Sequence, residues 1–135
     1  MRFSLIAVGL VFATPLFVGD ALSQNATPPA PKVEALSDEP VSGNETLHAV
    51  TARIDWPTNA ATGKHTHAGD EYAYVVQGRI EVTTEGQAPH IYEAGQAYHN
   101  RRGVVHEARN AGRRPATTVA VMVVDKGGPL SQPVK

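Results

Sequence analysis

From residue 48 onward, apolar residues recur at every second position in short runs, and a turn-forming cluster closes each run. Val50, Ala52 and Ile54 share one parity with His48, and Ile80 and Val82 alternate with Arg79, Glu81 and Thr83. A repeat of two is that of a strand with one face buried. A third run over 116–124 is rich in valine and stops at Asp125. Turn signals separate the runs at 59–63, Ala68-Gly69-Asp70, Gln77-Gly78, Thr84-Glu85-Gly86, Gly95, Arg102-Gly103 and 111–115. No stretch carries a sustained helical stripe, and there is no internal repeat long enough for a solenoid. Short strands at this spacing predict an all-β antiparallel sandwich or barrel.

The chain divides into three parts. Residues 1–23 read as a secretory signal peptide: Met1-Arg2 gives a positive start, 3–18 is almost wholly apolar, and Ala21-Leu22-Ser23 supplies small residues for cleavage. Thr14-Pro15 interrupts the apolar stretch, which falls short of the roughly 20 residues a membrane span needs. Stable membrane insertion is therefore not expected after cleavage, and the mature protein is placed in the periplasm or outside the cell. Residues 24–45 hold Pro28-Pro29, Pro31 and Pro40 among small and charged residues, too few of them apolar for a core, and read as a flexible tether. Residues 46–135 remain as one domain, near the size at which a single core suffices. Beyond residue 23 there are thirteen Val against three Leu, a bias toward sheet.

Charge and cysteine content remove several function classes. Twelve Lys and Arg stand against thirteen Asp and Glu, a net charge of −1 without a basic block, so no nucleic-acid partner is expected. With no cysteine, a disulfide scaffold, a thiolate zinc site and a cysteine nucleophile are all excluded.

Chemistry concentrates in the histidines. Of six, two form His65-Thr66-His67, with Glu71 four positions on. Side chains at i and i+2 of a strand project from one face, so His65 and His67 can offer nitrogens to one point. A chain reversal at Ala68-Gly69-Asp70 would return Glu71 beside them. Three ligands leave a divalent ion short of a full shell, so a further histidine from a distant strand is expected. On its own, a His-x-His pair is more often two surface residues on one strand face.

A second segment changes that balance. Gly95 is followed by Arg101, Gly103, Val104-Val105-His106 and Asn110. With Gly63, His65, His67, Glu71 and Gly78, these residues resemble the two-part signature of the cupin superfamily, in segments 63–78 and 95–110 separated by 16 residues. The signature's leading glycine falls on Asn59, and Arg101 stands where the second segment usually has proline. Both positions shape turns and leave the ligand set intact. The tail, with Lys126-Gly127-Gly128-Pro129-Leu130, is similar to that of small single-domain cupins labelled quercetin-dioxygenase-like.

The resemblance implies a double-stranded β-helix, a jelly roll with its site inside the barrel. The metal ligands it implies are His65, His67, Glu71 and His106, and in some relatives the matching glutamate leaves the ion to act as a base. Three imidazoles and a carboxylate suit Fe, Mn, Ni, Cu, Co or Zn. A metal-dependent oxygenase acting on a small chelating or phenolic molecule is one expectation. A non-catalytic cupin binding a metal or small ligand is the other, because one fold hosts many chemistries. The resemblance also allows a homodimer through an edge strand. A carbohydrate platform is disfavoured, since aromatic residues make up only 6% of the chain. Trp56 is expected in the core or rim, with a place in the pocket wall as the alternative, and Tyr74 in the core. His99 is expected exposed in a turn, the alternative being support of the site, and Arg101 and Arg102 solvated, the alternative being capture of an anionic substrate at the barrel mouth. His48 and His90 are expected to carry no chemistry.

Overall fold

The computed structural model describes residues 27–135. All its regular structure is strand: β1 (Lys32–Val41), β2 (Asn44–Trp56), β3 (His65–Thr66), β4 (Gly69–Gln77), β5 (Arg79–Thr84), β6 (His90–Glu93), β7 (Ala97–Asn100), β8 (His106–Asn110), β9 (Ala116–Asp125) and β10 (Gln132–Pro133). They form two five-stranded antiparallel sheets, in the orders β1-β2-β9-β4-β7 and β10-β3-β8-β5-β6. This is the expected jelly roll, and the period-two pattern of the sequence is its inside and outside. Along β9, Ala116, Thr118, Ala120, Met122 and Val124 point inward and are buried, while the intervening residues are only partly covered.

The core is built from small side chains. Ala52, Ala60, Ala73, Ala108, Ala116 and Ala120 are all buried, and the largest fully buried side chains are Ile80, His106, Val75 and Thr118. Little aliphatic bulk fills the middle of the barrel, so imidazoles take up interior space that Leu or Ile would fill elsewhere. Trp56 is in the core as expected, and its indole Nε1–H donates to Thr118 Oγ1 at 3.0 Å, satisfying both buried polar groups.

Three expectations are corrected. First, the segment read as a tether contains β1, which pairs with β2 from Lys32↔Asp55 to Val41↔Asn44. Its residues are almost all exposed, so a backbone ladder at the sheet edge holds it and its composition carries no core signal. Second, Tyr74 and Val76 face solvent, 49% and 51% exposed. Their strand has two faces, and turning Glu71, Ala73 and Val75 inward turns Tyr72, Tyr74 and Val76 outward. Third, Gly69 and Asp70 are not a turn but the first residues of β4, and the chain passes from β3 to the facing sheet through His67 and Ala68; Glu71 nonetheless comes to lie beside His67 as expected. The signal-peptide reading of residues 1–23 lies outside the described residues.

Two backbone positions fix the frame. Asn59, standing where the signature has glycine, adopts φ 63°, a left-handed conformation that asparagine tolerates better than most residues. Gly69 opens β4 against β9 so closely that an added Cβ would lie 1.8 Å from the Val123 carbonyl oxygen. No side chain fits there.

Candidate metal centre

The two sheets bring His65, His67, His106 and Glu71 to one place inside the barrel. His65 on β3 and His106 on β8 are directly paired across the ladder. His67 follows β3 by one residue, and Glu71 enters from β4 in the opposite sheet. All four are buried. The three imidazole rings lie with centroids 4.3 to 4.8 Å apart, and one nitrogen from each falls within 4.8 Å of the others. Closing them onto one ion needs only a small contraction, since ligand nitrogens about 2.1 Å from a metal lie about 3–4 Å apart.

Each imidazole is held through its other nitrogen. His65 Nδ1 donates to the Gly63 carbonyl at 2.9 Å, His106 Nδ1 to the Val104 carbonyl at 3.0 Å, and His67 Nδ1 to the Leu130 carbonyl. With Nδ1–H committed to a carbonyl, Nε2 carries a lone pair aimed inward. The Nε2 atoms of His67 and His106 are buried and have no hydrogen-bond partner. Buried polar atoms left unpaired are costly, and nitrogens of this kind beside a carboxylate make a place that could hold a cation.

Glu71 lies beside the three imidazoles, close to His67 and His106, but outside the group of ligand atoms within 4.8 Å of one another. Its Oε2 lies 3.3 Å from His67 Nε2 and 4.0 Å from His106 Nε2, and it accepts a hydrogen bond of 2.7 Å from Asn100 Nδ2. A neutral His67 would face the carboxylate lone pair to lone pair, so a proton or a metal ion is required between them. The titration tendencies agree. Burial pushes His67 down, but the adjacent Glu71 carboxylate and the Leu130 carbonyl outweigh it, and the net shift is upward. Burial favours the neutral form of Glu71, yet His67 and Asn100 hold its carboxyl below the usual range. Burial also lowers His65, and it drives His106 down to about 4, so both stay neutral and ready to ligate at ordinary pH.

Above the four residues is a cavity of about 220 Å³ whose walls include Ile54, Trp56, Met122 and Leu130. Pro31 and Val33 also line it, so the segment expected to be a tether closes one side of the site. Trp56 therefore serves both core and pocket wall.

The remaining sequence readings resolve individually. His99 is on β7, not in a turn: its Nε2 lies 2.9 Å from Asp70 Oδ1 and its ring stacks on Tyr72 at 4.4 Å. Arg102 is occupied by a two-pronged pair with Asp125 at 2.8 and 2.9 Å. His48 is paired with Asp38 at 2.6 Å, away from the site. Asn110, which closes the second sequence segment, is structural: its Nδ2 donates to the carbonyls of Trp56, Pro57 and Arg114, and its Oδ1 accepts from Gly112 N–H. Asn100 is the functional residue that sequence reasoning missed. Its shared parity with the core residue Tyr98 was the available signal.

Comparison with known proteins identifies the family and the fold. Residues 52–123 match the family model described as a cupin domain. Nectarin-1 of Nicotiana plumbaginifolia is 30% identical over 108 residues, covering 76% of this chain and 47% of that protein. Germin-like protein subfamily 2 member 2 of Arabidopsis thaliana is 31% identical over 87 residues, covering 61% and 40%. The chain thus spans less than half the length of these relatives. A conserved protein with a double-stranded β-helix domain from Klebsiella pneumoniae superposes with a TM-score of 0.63 at 19% identity, over 78% of this chain and 86% of that one. That likeness speaks for the fold.

Proposed function

Because this chain belongs to the cupin family, we propose that it is an exported metal-dependent enzyme of oxygenase type, holding one divalent transition metal on His65, His67, His106 and Glu71 and acting on a small chelating or phenolic molecule. The observation that carries the metal is the convergence of three buried imidazoles, one nitrogen from each within 4.8 Å of the others, with the opposite ring nitrogens committed to backbone carbonyls. The apolar stretch near the start of the sequence, read as a signal peptide, supports export.

A bound ion supplies Lewis-acid polarisation of a substrate oxygen and, if redox-active, access to dioxygen chemistry. The protein's own residues do the rest. The carbonyls of Gly63, Val104 and Leu130 fix the imidazole tautomers and ring orientations. Asn100 fixes Glu71 Oε2, leaving the carboxylate placed to accept the proton of a substrate hydroxyl. Ile54, Trp56, Met122 and Leu130 give the cavity an apolar lining. Its volume of about 220 Å³ exceeds the ~150 Å³ apolar cavity that accepts benzene, so it suits a single aromatic ring or a molecule of that size.

The test is elemental analysis of protein from its native compartment, followed by oxygen uptake with a panel of catechols and flavonols. Uptake that matches substrate loss, stops on chelation and returns with the metal supports the proposal. Metal-loaded protein that binds these molecules without consuming oxygen would make it a binding cupin instead.

A further inference from the structure

A second chamber of about 410 Å³ adjoins the metal centre and shares Tyr98, Asn100 and His106 with the apolar cavity as a dividing wall. Its character is opposite. Thr84, Gln87, His90 and Arg101 bring hydrogen-bond donors to it, and no Asp or Glu lines it. In a chain with more acids than bases, a concave surface of this size free of carboxylates is a selective feature.

Arg101 is the charged group of this chamber. Arg53, Arg79, Arg102 and Arg109 each pair with a carboxylate, whereas among the described residues Arg101 has no carboxylate oxygen within 4.0 Å. Its neighbour Arg102 is held by Asp125, which leaves Arg101 as the guanidinium at this mouth. A planar guanidinium binds a carboxylate through two parallel N–H donors, and the planar match favours carboxylate over a point-charge partner. The rest of the wall says what the carboxylate is attached to. Tyr92 and Tyr98 stand 5.1 Å apart as tilted rings, and Val82 and Val104 add apolar surface.

We propose that this chamber is a second ligand site, taking a small organic carboxylate with a flat apolar body, its charge on Arg101 and its ring against Tyr92 and Tyr98. The assignment is independent of the oxygenase reading, because none of its anchoring residues is a metal ligand.

Calorimetric titration of the full metal-loaded protein with benzoate, and separately with inorganic phosphate, tests it. Benzoate binds at one site, and Arg101→Gln weakens it by at least about tenfold, the loss expected for a charge-assisted two-pronged contact. Arg101→Lys keeps the charge without the fork and falls between the two. Arg113→Gln, at an exposed arginine outside the chamber, leaves affinity unchanged. Benzoate affinity that survives Arg101→Gln overturns the proposal and assigns binding to the ion instead. Phosphate binding as tightly as benzoate overturns the choice of an organic carboxylate.

Discussion

His65 and His106 sit directly opposite each other on neighbouring antiparallel strands, their ring centroids 4.3 Å apart, although 41 positions separate them in sequence. This cross-strand pair converts a two-residue motif into a site. His65 and His67 alone would be a clamp on one strand, while His106 supplies the third nitrogen and Glu71, from the facing sheet, supplies the anion.

Removing one imidazole separates metal binding from folding. His67→Ala lowers metal occupancy at least tenfold, by the order of loss expected when one of few ligands is deleted. The sheet signature in circular dichroism is retained, because the strands are held by their ladders. Unchanged metal content in this variant counts against the ligand set.

Metal affinity responds to acid through one proton, not three. His67 is shifted upward by its carboxylate neighbour, so below its raised pKa a metal must expel a proton to bind. His65 is shifted down and His106 falls to about 4, so both are still neutral where His67 begins to take up its proton, and Glu71 is shifted toward its ionised form. Just below the His67 pKa affinity therefore falls by about tenfold per pH unit, against about a thousandfold per unit for three ordinary histidines below their common pKa. A competition titration with a chelator at several pH values reads this slope directly.

Asn100 earns its place through Glu71. Asn100→Ala leaves a buried carboxylate without its 2.7 Å donor and destabilises the metal-free protein by about 1–3 kcal/mol. Most of that cost disappears in the Glu71→Gln background, where no charge is stranded. Urea denaturation of the single and double variants measures both values.

Backbone approach at the start of β4 is equally specific. Gly69→Ala forces a Cβ against the Val123 carbonyl and costs about 3 kcal/mol or more, enough to abolish soluble expression if stability is ordinary. Gly86→Ala meets open space and suffers only the strain of φ +75°, about 1–2 kcal/mol. Thermal melts of the two variants should differ clearly.

Much of this architecture is legible in the sequence because period two reports burial. Val50, Ala52 and Ile54, then Ile80 and Val82, then alternate residues of β9, all turn inward as their spacing predicts. The clustering of the candidate residues is also legible, because His65, His67 and His106 are rare residue types at fixed intervals and the fold does bring them together. What fails does so where a local pattern is symmetric or silent. On β4 either parity places apolar residues on one face, and only the inward demand of Glu71 decides that Ala73 and Val75 are core while Tyr74 and Val76 are not. β1 buries almost no side chain, so nothing in its composition distinguishes an edge strand from a linker. The Leu130 carbonyl that orients His67 lies 63 residues away and is a backbone atom, which leaves no mark in residue identity. Asn100 faces the site by alternation with Tyr98, but its role depends on Glu71 arriving from another strand.

The most direct test is a crystal structure of the metal-loaded protein at the metal's absorption edge, where anomalous scattering locates the ion. The account predicts one ion per chain, within about 2.0–2.2 Å of the Nε2 atoms of His65, His67 and His106, with a Glu71 oxygen on the same ion. An ion bound elsewhere, or one that leaves His106 Nε2 unligated, contradicts it.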